Sequence, residues 1–310
     1  MRIAVFGAGG VGGYFGGRLA QAGEQVIFLV RGEHLRAIQA HGLRVDSING
    51  DFVIQPAQAV DDPGLVGPVN YVVVGVKAWQ VPGAAESIRS MMGPETAVVP
   101  LQNGVDAPAQ LSAVLGEQHV LGGLCQISSL IAGPGHIRHV GLEPYIAFGE
   151  LDGHASGRVE RLKGAFERTV GVRVETPLDI QAAMWRKFLF ISAISGVGAV
   201  TRAPVGITRS LPETRRLLEM AIQEAYAVSQ ARGIRLTGEI VAQTLAFIDS
   251  LAPTVTASMQ RDIAAGLPSE LHAQNGAVVR MARESGNPAP VHEFLYACLL
   301  PQELKARGEI

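Results

Sequence analysis

The sequence predicts an α/β chain in which a doubly wound parallel sheet is followed by an all-α domain. Three observations predict it. Short apolar runs alternate with helical stretches up to about residue 176. Several of those runs are apolar throughout, the pattern of strands covered on both faces. Beyond Pro177 the apolar residues recur at helix spacing. At roughly 150 residues per domain, the chain divides into two, 1–176 and 177–310.

The first strand is expected over 3–6. Others follow over 26–30, 71–76, 97–101 and 120–124, each brief, apolar and bounded by Gly, Pro or polar residues. Segments 34–40, 81–91 and 107–115 read as the helices between them, which makes βαβ units. Further short strands are expected over 136–140, 145–149 and 172–175. In the second part, Leu217, Ala221, Ala225 and Val228 mark one helix face. Ser210-Leu211-Pro212-Glu213 reads as the capping box that opens that helix, and Gly233 as its end. Thr237 is the expected cap of a helix running to about Ser250. Pro268-Ser269 is expected to open another, ending near Gly286, and a last helix covers 291–305.

Composition excludes several classes. Apolar residues make up 47% and charged residues 17%, which supplies a core and excludes a disordered chain. The net charge, 26 − 28 = −2, leaves no basic surplus for a nucleic-acid partner. Two cysteines, Cys125 and Cys298, are too few for a disulfide framework, so a reducing cytoplasm is the expected compartment. The N-terminal apolar run enters a glycine cluster rather than a cleavage site, so no signal peptide is expected. The uncharged stretch 188–201 is shorter than the roughly 20 residues a spanning helix needs, so no membrane partner is expected either.

Gly7-Ala8-Gly9-Gly10-Val11-Gly12 satisfies G-x-G-x-x-G between an expected strand and an expected helix. In that context Gly7 makes the tight turn and Gly9 lets the backbone approach a pyrophosphate. Gly12 lets helix and sheet pack closely. Nine of the 37 glycines fall in the first 32 residues, so the motif is not a chance hit in a uniformly glycine-rich chain. The domain is therefore of Rossmann type and binds a dinucleotide. The second strand ends in Arg31 rather than an acid. A guanidinium suits the 2′-phosphate of NADP, while nearby Glu33 is the argument for NAD.

Three more segments complete a set. Val76-Lys77-Ala78-Trp79-Gln80 follows one central strand, Gln102-Asn103-Gly104 the next, and Met184-Trp185-Arg186-Lys187 opens the helical region. With the glycine loop and Arg31, this ordered set resembles the ketopantoate reductases (2-dehydropantoate 2-reductases) along nearly the whole chain. The resemblance implies NADPH-dependent reduction of a 2-oxo acid to a 2-hydroxy acid, in pantothenate and coenzyme A synthesis. It implies that Lys77 lies beside the nicotinamide end and that Asn103 contacts cofactor and substrate. It makes Lys187 the proton donor. Ser258 and Glu270 fit the family's substrate and cofactor contacts, and Ser128 lies where a backbone contact to the cofactor is expected.

The chemistry is coherent by itself. Hydride attack on a ketone builds negative charge on its oxygen, and a positioned ammonium can stabilise that charge and then give up a proton. Lysine suits this when burial or a second cation lowers its pKa. One departure stands out. The family places asparagines four and eight residues after the lysine, on one helix face. Here those positions read Ile191 and Ser195. Ser195 can replace one amide, but Ile191 makes no hydrogen bond, and Ser192 points about 100° away on a helix. The substrate is then ketopantoate or another 2-oxo acid with a branched or apolar arm.

Simpler readings stand beside these. A lysine after a strand is commonly a solvated residue, and Asn-Gly is commonly a turn. Trp79 and Trp185 read as packing residues, and Cys125 as a small core residue. His136 and His139 would sit on opposite faces of a strand, so no metal site is expected. A sensor that binds NADP without turnover is the rival from another class. Fold-level analogy allows a homodimer.

Overall fold

The N-terminal sheet is built outward from β1 (Arg2–Phe6), where Ile3, Ala4 and Val5 have no exposed surface. The computed structural model describes residues 1–310. It divides into two units, Met1–Gln102 with Ala107–Ile180, and Asn103–Asp106 with Gln181–Ile310.

In the first unit β1 leads to α1 (Gly10–Gln21), β2 (Gln25–Leu29) and α2 (Gly32–His41). There follow β3 (Leu43–Ser47), β4 (Phe52–Ile54), β5 (Gln58–Val60) and β6 (Tyr71–Val74). Then come α3 (Val81–Ile88), β7 (Ala97–Pro100) and α4 (Ala107–Leu115). Five strands form one parallel sheet in the order β5-β2-β1-β6-β7. Ile3 and Val5 face one core with Tyr14 and Phe15 of α1, while Ala4 faces the other with Val81, Ala85 and Ile88 of α3. Full burial of each Val or Ile contributes about 1.5–3 kcal/mol. The winding reverses between β1 and β6. Ligands of such sheets bind beyond the carboxyl ends of the strands at that reversal.

The unit ends with β8 (Leu121–Gln126), β9 (Ser129–Gly133), β10 (His136–His139), β11 (Tyr145–Glu150), α5 (Gly157–Glu167) and β12 (Arg173–Glu175). Two smaller sheets result, ordered β4-β3-β10-β9 and β12-β11-β8. The expected strands are all present within two residues of their predicted ends. Four strands escaped prediction: β3, β4, β5 and β9. They are short or mixed in polarity, and β9 leaves Leu130 and Ile131 exposed, so none carries a clear pattern.

The second unit is helical: α6 (Ile180–Thr201), α7 (Val205–Ser210), α8 (Pro212–Ala231), α9 (Glu239–Ser250), α10 (Ser258–Ala264), α11 (Asn275–Ser285) and α12 (Pro290–Arg307). Phe188, Leu189, Ala193 and Val197 of α6 pack with Ala221, Ile222 and Ala225 of α8, Val278 of α11 and Leu295 of α12. At 22 residues α6 is longer than its uncharged stretch suggested, and by length and composition it could cross a bilayer. Of its apolar window 72% is buried in the protein, as in the core helix of a folded domain.

Three expected helix starts are corrected. Ser210 does not cap α8, because its hydroxyl donates back to the Ile207 carbonyl in α7. Instead α8 opens on Pro212, whose fixed φ suits the first helical turn. Thr237 is not the cap of α9. Gly238 holds that place, and Thr237 offers only its backbone carbonyl, to Ile240 N–H. Nor does Pro268-Ser269 open a helix. The buried Glu303 carboxylate captures the Ser269 N–H, and α11 begins only at Asn275. Gly233 (φ +73°) follows α8 and Gly286 (φ +70°) ends α11, in the left-handed conformation glycine adopts without strain.

Candidate active site

In the first unit the carboxyl end of β1 turns at Gly7, whose φ is +91°. A Cβ at Gly7 would meet Val76 Cγ1 at 2.5 Å, and one at Gly12 would stand 2.2 Å from the Gly7 carbonyl oxygen, so neither position admits a side chain. A Cβ at Gly10 would lie 2.6 Å from the Ser129 carbonyl oxygen. Gly9 differs, because a Cβ there would meet nothing within 4 Å. Packing within the protein does not demand glycine at that point. The open space suits a ligand that approaches the backbone. The first-turn N–H groups of α1 lack intrahelical partners and carry the positive end of the helix dipole, which favours an anion. Ala8 is buried and Val11 half-buried, so these two hold the loop onto the core. Residues 7–12 therefore fit the pyrophosphate of a dinucleotide.

Ser128 precedes β9, beside the Ser129 backbone that abuts Gly10. Its own carbonyl accepts the Val140 N–H at 2.8 Å. At the end of β2, Arg31 is the N-cap residue of α2, and both Arg31 and Glu33 are exposed. Both the guanidinium and the carboxylate reach solvent at the start of α2. His34, which the sequence reading passed over, links the loop to α2: its Nε2 lies 3.1 Å from the Ala8 carbonyl oxygen.

Lys77 follows β6 across the winding reversal from Gly7. Gln102 ties that exit down, donating from Nε2 to the carbonyls of Val74 (2.8 Å) and Val76 (2.9 Å). Gln80 Oε1 accepts the Lys77 N–H at 3.1 Å, and Lys77 Nζ stands 5.9 Å from the Trp79 ring centre. Lys77 is half-buried.

In the second unit, Asn103–Asp106 pack with the helices. Asn103 Nδ2 donates to Glu270 Oε2 at 3.2 Å, and Gln274 Nε2 donates to the same oxygen at 3.3 Å. Gly104, at φ +109°, fits the turn against Ala273, where a Cβ would be 2.8 Å from the carbonyl oxygen. Arg280 fixes the far end by donating to Asp106. Lys187, Ile191 and Ser195 lie four residues apart along α6 and so share a face. Lys187 and Ile191 are half-buried, Ile191 against the apolar core. Ser195 is wholly buried and its hydroxyl has no hydrogen-bond partner. Ser192 turns its hydroxyl back toward the Leu189 carbonyl. Asn275, also unforeseen, donates to the Ser192 carbonyl at 3.1 Å and packs against Gly196. Ser258 is the first residue of α10 and half-buried, and Gln260 packs on Gly198 of α6.

The fold thus joins Asn103 to Glu270, aligns Lys187 with Ile191 and Ser195, and sets the glycine loop beside the exit of β6. It gives the side chains of Ser128 and Ser258 no hydrogen bond to another of these residues. Asn275 stands five residues after Glu270, a spacing without a local pattern to reveal it. No group of three or more His, Cys, Asp or Glu side chains is placed to hold a metal ion. His136 pairs with Asp46, while His139 bonds Ser47 and the Leu142 carbonyl. The Asp46 carboxyl is held below its usual pKa, first by its hydrogen bond from Arg44.

Comparison with known proteins agrees along the whole chain. Residues 3–153 match the family model "Ketopantoate reductase PanE/ApbA", and 179–303 match "Ketopantoate reductase PanE/ApbA C terminal". A Bacillus subtilis protein described as an uncharacterized oxidoreductase is 31% identical, with 96% of this chain and 98% of the relative covered. The 2-dehydropantoate 2-reductase of Mesorhizobium japonicum is 30% identical, with 96% of each covered. Among solved structures, a PanE/ApbA family ketopantoate reductase from Ralstonia eutropha is 31% identical, at TM-score 0.90, over 99% of this chain and 100% of that one. A D-mandelate dehydrogenase, solved with NADH and anilino(oxo)acetate, shares the fold at TM-score 0.87 and 21% identity, over 99% of each chain.

Proposed function

The chain belongs to the ketopantoate reductase family, oxidoreductases that use a nicotinamide cofactor and act on a CH–OH group, and from that premise we propose that it reduces a 2-oxo acid with NADPH. Ketopantoate is the first substrate we propose, with pantoate as product, a step toward pantothenate and coenzyme A in the cytoplasm. The observation that carries the reading is the Asn103–Glu270 hydrogen bond. It assembles two of the expected site residues within the unit that also carries Lys187.

Residues Gly7–Gly12 would hold the pyrophosphate, Arg31 the 2′-phosphate, and Lys77, Asn103, Ser128 and Glu270 the remainder of the cofactor. Bound NADPH supplies a hydride to the keto carbon. Lys187 meets the keto oxygen, stabilises the charge that develops there, and gives it a proton. Asn103 donates an amide N–H that orients the reacting group, and Glu270 fixes that amide. Ser258 supplies a hydroxyl toward the substrate, whereas Ser195 is wholly buried and would act from behind the substrate-facing residues. Exposed Glu33 is the feature that favours NADH instead.

Ile191 favours a second substrate. It stands one turn after Lys187, half-buried against the apolar core, where a hydrogen-bonding residue would be needed to hold the hydroxyl arm of ketopantoate. The D-mandelate dehydrogenase of the same fold was solved with anilino(oxo)acetate, which supports a 2-oxo acid with an apolar arm. Loss of NADPH absorbance across a panel of ketopantoate, 2-oxoisovalerate and phenylglyoxylate tests both. Binding without consumption of NADPH on every member would remove the reductase reading.

A further inference from the structure

One side chain outside the strand–helix turn grips the glycine loop. His34 Nδ1 accepts the Gly135 N–H at 2.9 Å, and its Nε2 lies 3.1 Å from the Ala8 carbonyl oxygen. A backbone N–H only donates, so Nδ1 is the bare nitrogen, and Nε2 carries the hydrogen that the Ala8 carbonyl accepts. Burial, the larger effect, lowers the His34 pKa below its ordinary value against the opposing hydrogen bond to Ala8, so the ring is neutral at pH 7.

The peptide unit is planar and trans, so the Ala8 carbonyl and the Gly9 N–H point in opposite directions. Holding the carbonyl toward α2 aims the Gly9 N–H away from it. The loop's other backbone anchors are the Gly7 and Ala8 N–H groups on the Leu29 carbonyl, at 3.0 and 3.4 Å, and the Gly9 carbonyl, which accepts the Gly13 N–H at 2.7 Å. They hold the peptide units on either side, and none of them is made by the Ala8 carbonyl or the Gly9 N–H. Gly9, meanwhile, borders open space.

We propose that His34 is a positioning residue for the dinucleotide: its Nε2–H sets the Ala8–Gly9 peptide plane that presents the loop N–H groups to the pyrophosphate. This rests on the reading of Gly7–Gly12 as the pyrophosphate loop. His34 is the third residue of α2, whose N-cap is Arg31. The phosphate loop and the residue assigned to the 2′-phosphate therefore share one brace.

The test is titration of the full chain with NADPH, together with steady-state kinetics, for wild type, His34→Ala, His34→Asn and His34→Gln. A Gln amide reaches far enough to replace the Nε2 donor, whereas an Asn amide replaces only the Nδ1 position. The Ala and Asn variants are expected to weaken NADPH binding about tenfold or more. The Gln variant is expected within about threefold of wild type, with the KM for the 2-oxo acid little changed in all of them. Ala binding within twofold of wild type, equal binding by Asn and Gln, or an equal loss in all three overturns the proposal. If the Ala variant does not fold, the Asn and Gln pair still decides. Gly9→Ala separates the underlying reading, since a Cβ there meets nothing in the protein within 4 Å. Wild-type affinity in that variant would remove the loop from cofactor binding, and the role of His34 with it.

Discussion

Asn103 Nδ2 donates to Glu270 Oε2 across 3.2 Å, joining residues 167 positions apart within the helical unit. Glu270 is almost fully buried, and Gln274 is a second amide donor to the same oxygen. Exchanging the Asn103 amide for a carboxylate would set two acceptors face to face, one of them buried. Asn103→Asp is therefore expected to lower kcat/KM for the 2-oxo acid more than Asn103→Ala does. The Ala variant, which leaves a buried acceptor short of one donor, should lose roughly 10- to 100-fold, the equivalent of about 1–3 kcal/mol. Steady-state kinetics of the two variants at pH 7 measure this. An Asp variant as active as the Ala variant would disprove the electrostatic argument.

Lys187 is assigned the proton transfer, so its removal should act on the chemical step. Lys187→Ala is expected to cut turnover by about two or more orders of magnitude, within the range of lost general acid catalysis. Rapid mixing of the NADPH-loaded enzyme with substrate isolates hydride transfer. An unchanged rate in that single turnover would refute the role.

The first unit was legible in the sequence because its physics is local. A strand, a glycine loop and a helix lie within about twenty consecutive residues; Gly7 is required by its own φ of +91° and Gly12 by its contact with the Gly7 carbonyl inside the motif. The second unit was less legible. Ser210-Leu211-Pro212-Glu213 has the letters of a capping box, yet Ser210 ends α7 and Pro212 alone starts α8. The turn at Ser269 is set by Glu303, 34 residues away, which no local pattern reports. His34 escaped for the same reason, since its partners Ala8 and Gly135 are 26 and 101 residues distant. Lys187, Asn103 and Glu270 are site residues proposed from order and resemblance, and the fold adds that Asn103 belongs with the helices.

Arg31 stands exposed at the start of α2, where charge-assisted hydrogen bonds to a 2′-phosphate are worth more than neutral ones. Arg31→Ala should weaken NADPH by roughly 10-fold or more and leave NADH nearly unchanged. The ratio of kcat/KM for the two cofactors reports it directly. An equal loss for both would mean that Arg31 does not read the 2′-phosphate.

Ile191 shares a helix face with Lys187 and packs on the apolar core. Restoring an amide there should favour a substrate with a hydroxyl arm. Ile191→Asn is expected to raise the preference for ketopantoate over 2-oxoisovalerate by about tenfold or more, since a hydrogen bond to a substrate hydroxyl discriminates strongly. Competition between the two acids under NADPH-limited conditions gives the ratio. No change in that ratio would show that Ile191 does not face the arm of the substrate.

Glu224 of α8 gives the helical unit an acid limit. Its carboxylate accepts the first-turn N–H groups of α12 at Val291 (2.8 Å) and His292 (3.0 Å), together with the His292 ring N–H at 2.8 Å. It thereby caps a helix whose own N-cap, Ala289, has no side-chain oxygen to offer. Burial pushes the Glu224 pKa upward, but the hydrogen bonds from His292 and Val291 outweigh it and hold the group below the ordinary glutamate value. The folded pKa is depressed, so the folded state binds this proton less readily than the unfolded chain does. The stabilisation is then complete above the ordinary value and is lost as pH falls through the folded one. Glu224→Gln keeps the shape but cannot take up all three donors, and should cost about 1–3 kcal/mol at pH 7. Other carboxylates titrate alike in both proteins, so the Tm difference between wild type and variant isolates this one. That gap should be widest at neutral pH and narrow progressively as pH falls below the ordinary glutamate value. A gap independent of pH would mean that the carboxylate charge contributes nothing to the cap.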